Sequence, residues 1–231
     1  MRRLATVLLV LLVLLGAGFV VVDRLLVART EDRLLAEARG WGDLAQGSEI
    51  EIDGFPFLTQ VAAGRLAEVR GLAPALVVEG RELQDVRVAV RGVAPTEPYP
   101  AENVEINAGI PVATLRAAVT EAMGLPGDPL RLDAADGLLQ LGVEVAGLRL
   151  DALVEPVVVD GAVGLRLGEV VLGDAQVPRD VVDLLTGALD EVRVDVPGLP
   201  AGLAPTRLAV DEDGLQVRLE GTDVELGEWL G

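Results

Sequence analysis

The sequence contains no cysteine and no histidine, and all of its basic residues are arginine. These absences exclude thiolate nucleophiles, Ser–His and Cys–His catalytic pairs, zinc sites made from Cys or His, and disulfides that would indicate a redox compartment. Without lysine, Schiff-base chemistry and a P-loop lysine are excluded as well.

Aromatic residues and positive charge are also scarce. Only 3% of the residues are aromatic while 51% are hydrophobic, mostly Val, Leu and Ala, which predicts an aliphatic core. The 37 acidic residues outnumber the 19 arginines, so the net charge is −18. Such a surface repels nucleic acid and has no general attraction for anionic membranes. We therefore expect no nucleic-acid partner.

The N-terminus is apolar and begins with two arginines. Leu4–Val22 contains 19 residues without a charge, which as a helix would span about 28 Å, close to a bilayer core. Arg2 and Arg3 precede this run and predict a cytoplasmic N-terminus with an exported domain. Residues 1–22 are therefore interpreted as a transmembrane signal anchor or, alternatively, a cleaved signal peptide.

The next segment, residues 23–47, is predicted to be an amphipathic linker helix. Leu26, Val27, Leu34 and Ala38 share one stripe, with charged residues elsewhere. We expect this helix to leave the membrane and pack on the folded domain.

Residues 48–231 alternate apolar and polar side chains in short runs. The apolar positions of these runs lie at Ile50–Ile52, Val86–Val90, Val104–Ile106, Leu139–Val145, Leu148–Leu150, Val163–Leu167, Val192–Val196 and Leu215–Leu219. This period of two predicts antiparallel strands with one buried face. Three Asp-Gly pairs, at 136–137, 160–161 and 213–214, favour hairpin turns. Helical spacing appears only in 111–124 and 178–191. The predicted fold is α+β, with a long curved antiparallel sheet wrapped around amphipathic helices.

One short stretch, "GFPFLTQ" from Gly54, places two of the three phenylalanines on either side of a proline. Pro56 has no N–H and suits a strand edge or a bend. Phe55 and Phe57 could then project from the rim of a sheet, at or beside an apolar cavity. The alternative is a structural corner that closes the end of the core.

Several motifs in order resemble one known family. They are "EIDGFPFLTQVAAGRLAEV", "LQDVRVAVRGV" and "VDVPGLPAGLAPTRLAVDEDGLQVRLEGTDVEL". Together with the hydrophobic N-terminus, they resemble the actinobacterial LmeA family of phospholipid-binding cell-envelope proteins. The resemblance covers nearly the whole chain, and "GFPFLTQ" is its most specific part.

The resemblance implies a non-enzymatic, membrane-tethered protein on the extracytoplasmic, periplasmic side, acting in envelope lipid or lipoglycan homeostasis. It implies phospholipid of an anionic or phosphoinositide type as the partner, no cofactor, and a tubular lipid-binding fold. The lipid-binding residues predicted from the motif and this resemblance are Phe55, Phe57, Leu58, Val61 and Arg65.

The residues alone leave other functions open. Arginines are dense between 65 and 91 and could bind phosphate, but acids interleave with them, which favours a solvated strand face. A hydrolase with paired carboxylates and a scaffold for protein partners are the alternatives. "DAADG" and "DEDGL" resemble fragments of calcium loops, yet lack the full ligand pattern and are interpreted as turns.

Overall fold

The computed structural model describes residues 2–40, 42–122, 130–145, 148–159, 161–171, 193–194 and 201–227. The helices in this part of the chain are α1 (Arg2–Ala38), α2 (Phe57–Ala62) and α3 (Val112–Ala122). The predicted helix at 111–124 is thus confirmed as α3, whereas the one predicted at 178–191 lies outside the described residues.

The strands of the N-terminal half are β1 (Asp43–Leu44), β2 (Glu49–Asp53), β3 (Leu66–Val78), β4 (Arg81–Val93) and β5 (Pro100–Pro111). Those that follow are β6 (Leu130–Ala135), β7 (Leu138–Val145), β8 (Leu148–Val159), β9 (Ala162–Val171), β10 (Arg193–Val194), β11 (Leu203–Val210) and β12 (Gly214–Glu225).

These strands form two antiparallel sheets. The large sheet has the order β1-β3-β4-β5-β12-β11, and β2 also pairs with β3. The small sheet has the order β10-β9-β8-β7-β6. The α+β class and the antiparallel pairing are therefore confirmed, with the strands divided between two sheets. The last of the described strands, β12, lies between β5 and β11, so the large sheet joins distant parts of the sequence.

The turn between β6 and β7 confirms the first of the three predicted Asp-Gly turns. Asp136 and Gly137 both have positive φ, 55° and 79°, which is the conformation of a two-residue turn of this kind. The turn between β3 and β4 uses Glu79 and Gly80 in the same way, with φ of 52° and 78°.

At the third pair, β11 and β12 form the predicted hairpin, closed by hydrogen bonds between Asp211 and Gly214, with Gly214 as the first residue of β12. Asp160 of the second pair lies outside the described residues.

In the described residues, no group of three or more acidic side chains is placed to hold a metal ion.

Two hydrophobic clusters form the core of the part of the chain that the structure describes. The first packs α1 and α2 against the large sheet, and Val27, Phe57 and Leu215 belong to it. The second packs α3 against the small sheet, and Leu115 touches both clusters. Helix α1 contributes Val27, Leu26 and Leu34 to the first cluster, which confirms that its apolar stripe packs on the domain.

Helix α1 is continuous from the apolar N-terminal run into the segment that packs on the domain. Its described side chains begin at Leu12, and from there to Val22 they are exposed. Among the described residues, no helix is both long enough and apolar enough to cross a membrane. The proposed boundaries at 22 and 47 and the expected anchor therefore stay predictions.

Candidate functional site

The "GFPFLTQ" motif forms a turn between β2 and β3. Gly54 has a φ of 99°, and the Phe55–Pro56 peptide bond is cis. Thr59 and the residues around it then form the short helix α2. Gln60 fastens the turn, because its Nε2 donates to the Asp53 carbonyl (3.1 Å) and its Oε1 accepts from the Ala67 N–H (2.7 Å).

The two phenylalanine rings lie in different environments. Phe57 is only 7% exposed and belongs to the core cluster with Val27. Phe55 is 52% exposed, and the guanidinium carbon of Arg24 lies 5.2 Å from its ring centre. The sequence suggested that the bend at Pro56 brings both rings to one rim of the sheet. The structure shows that it does not. Phe57 fills the core, and Phe55 remains at the surface.

Helix α2 is held against α1 by a buried carboxylate. The Leu58 N–H donates to Asp23 Oδ1 (2.8 Å), and Asp23 is fully buried. Two turns further along α1, Glu31 Oε1 accepts from the Ile52 N–H (2.8 Å). Asp23, Val27 and Glu31 are spaced by four residues, so one face of α1 contacts the domain along two turns. Sequence reasoning missed Asp23 and Glu31; their spacing from Val27 is the signal that could have found them.

The remaining predicted residues, Val61 and Arg65, are exposed. Val61 is 40% exposed, on α2. Arg65 forms an ion pair with Glu102 across the large sheet. The structure thus brings four of the five predicted residues into one turn and helix, Phe55 to Val61, with Arg65 just beyond, but their contact with lipid stays a prediction.

The arginines from 65 to 91 do not form a free basic patch. Each of the five has at least one acidic partner, as in Arg70 with Asp53 (2.5 Å) and Arg91 with Glu68 (3.1 Å). The other pairs are Arg65–Glu102, Arg81–Glu121 and Arg87–Asp85. Asp53 raises the pKa of Arg70 by accepting its hydrogen bond and through its charge. The interpretation as a solvated strand face is consistent with these pairs.

A cleft of about 380 Å³ lies over β4, β5 and β12. Its lining is mostly polar and includes Arg91, Asn103, Glu105 and Glu220. None of the five predicted lipid-binding residues lines it. Charged walls of this kind do not suit acyl chains, since burying unpaired polar groups against hydrocarbon is unfavourable.

Glu105, which lines this cleft, forms an ion pair with Arg218. The Arg218 hydrogen bond, followed by that of Asn107 Nδ2 (2.9 Å), lowers the pKa of Glu105. The Glu105 carboxyl group therefore binds its proton less tightly in the folded protein than in the unfolded chain. Stability from the pair should be complete above about pH 4.3, the usual glutamate value, and lost as the pH falls through the lower folded pKa.

The test compares the wild type with Glu105→Gln by chemical denaturation at several pH values. We expect the variant to be less stable near neutral pH and the difference to disappear in acid. Glu155→Gln, which removes one charge from an exposed pair with Arg166 (3.4 Å), is the control for net charge. A difference for Glu105→Gln that grows as the pH falls would contradict the expectation.

Comparison with family models shows what this domain is. The model of the LmeA-like phospholipid-binding family matches residues 21–220. The chain belongs to this family. The LmeA-like match confirms the resemblance in the motifs and covers α1 from just before Asp23 to within β12. Comparison with curated proteins and with solved structures returned no match.

Membership of the LmeA-like family supports phospholipid binding as the function of the domain. It is a lipid-binding family and not an enzyme family. The matched region includes Phe55, Phe57, Leu58, Val61 and Arg65 and both residues that hold α1, Asp23 and Glu31.

Proposed function

We propose that this protein is an extracytoplasmic, membrane-tethered phospholipid-binding protein that acts in cell-envelope lipid or lipoglycan homeostasis. The family match over residues 21–220 carries the proposal. The absence of Cys, His and Lys from the sequence agrees with a binding role, because it removes most nucleophiles and proton-transfer groups.

The tether in this proposal is the apolar N-terminal part of α1. Arg2 and Arg3 before the uncharged run favour a cytoplasmic N-terminus. A C-terminal fusion to a reporter that is active only outside the cytoplasm should be active, and the protein should remain with the membrane after high-salt washing. Activity of a reporter that works only in the cytoplasm would contradict this topology, and release into the soluble fraction would indicate a cleaved signal peptide.

The lipid in this proposal is an anionic phospholipid, of which phosphoinositides are one type. Arg65 is the predicted phosphate ligand, because guanidinium groups bind phosphate through two hydrogen bonds. In the structure its partner is Glu102, so phosphate would have to share or replace that contact.

Purification of the full chain in mild detergent, followed by lipid extraction and mass spectrometry, tests both the function and the lipid class. We expect phospholipid to copurify, and Arg65→Gln to reduce the anionic share. Arg166→Gln is the matched control, since Arg166 is similarly exposed and is paired with the single carboxylate of Glu155. Absence of bound phospholipid would contradict the function, and equal effects of the two variants would contradict the role of Arg65.

A further inference from the structure

Exposed large hydrophobic side chains are concentrated in one region of the described structure. All of them except Val158 belong either to α1 before Val27 or to residues 54–62, the bend at Pro56 together with α2, which we call the α2 turn. They are Leu12, Val13, Leu14, Leu15, Phe19, Val20, Val21, Val22, Leu25, Phe55 and Val61. An exposed apolar surface of this extent in one place is typical of an interaction site.

The two parts of this surface are held together where the charged part of α1 begins. Asp23 fastens α2 through the Leu58 N–H, and the next residue, Arg24, lies against the Phe55 ring at 5.2 Å. The buried Phe57 side chain, at the start of α2, packs in the same core cluster as Val27 of α1 and so holds α2 against α1. Phe55 and Val61 are therefore carried on a segment that is attached to α1 immediately after the uncharged run ends at Val22.

We propose that the α2 turn is a second membrane contact, in which Phe55 and Val61 enter the same bilayer that receives the apolar part of α1. This inference rests on the membrane tether of the proposed function. The α2 turn lies directly beside the end of the uncharged run of α1. A bilayer that receives this run therefore also meets Phe55 and Val61, which makes lipid the occupant rather than a protein. Aromatic and aliphatic side chains next to a spanning segment are favoured at the headgroup level.

Charge supports an apolar contact over an electrostatic one. The chain carries a net charge of −18, so its surface is repelled by anionic lipids and cannot be held at a membrane by a general basic patch. Arg24 is the exception at the boundary, where a guanidinium over an aromatic ring can also reach lipid phosphate.

The proposal fixes the orientation of the large sheet. Strand β3 begins just after α2 and runs 13 residues to Val78, which is about 40 Å at the usual rise per residue. Strand β1, which follows α1, pairs with Leu76 and Val77 at the other end of β3, so α1 and β3 both lead away from α2. In this proposal the turn at Glu79 and Gly80 therefore lies far from the bilayer, while the α2 end of the sheet rests on it.

Because the chain has no cysteine, single-cysteine variants can be labelled at one site. Leu14→Cys, Val61→Cys and Glu82→Cys, in the full chain, would carry an environment-sensitive fluorophore in phosphatidylcholine vesicles that contain nitroxide-labelled lipid. Glu82 is exposed next to the distant turn of β3 and β4. We expect loss of fluorescence to lipid nitroxide and a blue shift at positions 14 and 61, and neither at position 82.

The three positions separate the possible outcomes. Quenching at 14 but not at 61 would overturn the second contact and leave the tether intact, whereas no quenching at 14 would overturn the tether itself. Energy transfer between labelled copies at 61, without lipid quenching, would show that a second copy covers the surface and would also overturn the proposal. Adding Phe55→Asp to Val61→Cys should reduce the quenching at 61, and unchanged quenching would exclude Phe55 from the contact.

Discussion

Phe57→Ala is expected to lower the free energy of unfolding by about 3–5 kcal/mol, the usual cost of removing a buried aromatic side chain. Phe57 is 7% exposed and packs in the cluster that joins α1, α2 and the large sheet. Its loss opens a cavity beside the N-terminal end of α2, where the surrounding backbone is held by Asp23 and Gln60. Urea denaturation of the protein in detergent, followed by circular dichroism, measures the change.

Phe55→Ala is the matched control, because it removes the same kind of ring only two residues from Phe57. Phe55, however, is 52% exposed. Its effect on stability should stay within about 0.5 kcal/mol. Bound phospholipid per folded molecule should be measured on both variants. Near-normal stability of Phe57→Ala together with reduced lipid would show that this ring lines a lipid site and that its role in the core is minor.

Gly214→Ala is expected to be the most damaging of the glycine substitutions in the large sheet. Gly214 begins β12 with a φ of 148°, and a Cβ there would lie 2.1 Å from the Ile110 carbonyl oxygen. The backbone conformation alone costs about 1–3 kcal/mol for a residue other than glycine. The contact with Ile110 adds to this cost, because backbone atoms of β5 must move and the pairing of Gly214 with Pro111 is disturbed.

Gly80→Ala separates the two contributions. Gly80 also has a positive φ, 78°, but no atom lies within 4 Å of the added Cβ. The melting temperature should therefore fall in both variants and fall further in Gly214→Ala. Equal decreases in melting temperature would mean that β5 shifts to accommodate the new methyl group with no loss of stability.

The sequence predicted local features well, because these depend on neighbouring residues. Alternation identified β4, β5, β7 and β12, and Asp136-Gly137 forms the expected turn. Strand β3 was missed because Gly71 and Pro74 interrupt its pattern, and both residues usually weaken a strand.

Features that join distant segments could not be predicted in the same way. Nothing local in β12 shows that it inserts between β5 and β11, or that β6 to β10 form a sheet of their own. These pairings depend on which apolar faces meet after the chain has collapsed.

The candidate site shows the same limit. The motif correctly marks a bend at Pro56. Which of the two rings enters the core depends on α1, which packs against α2 through residues that lie more than twenty positions earlier in the sequence. The Leu58 N–H donates to Asp23 across 35 positions of sequence, a contact that no local pattern in "GFPFLTQ" contains.

The insertion of β12 also determines when the protein can fold. Glu105 and Arg218, which pair across β5 and β12, are separated by 113 positions in the sequence. During synthesis the edge of β5 that pairs with β12 therefore stays uncovered until β12 has been made, and such long-range pairing forms slowly. In that interval the open edge is a site for association with other chains, so we expect nascent chains to associate through β5 more readily before β12 has paired than afterwards.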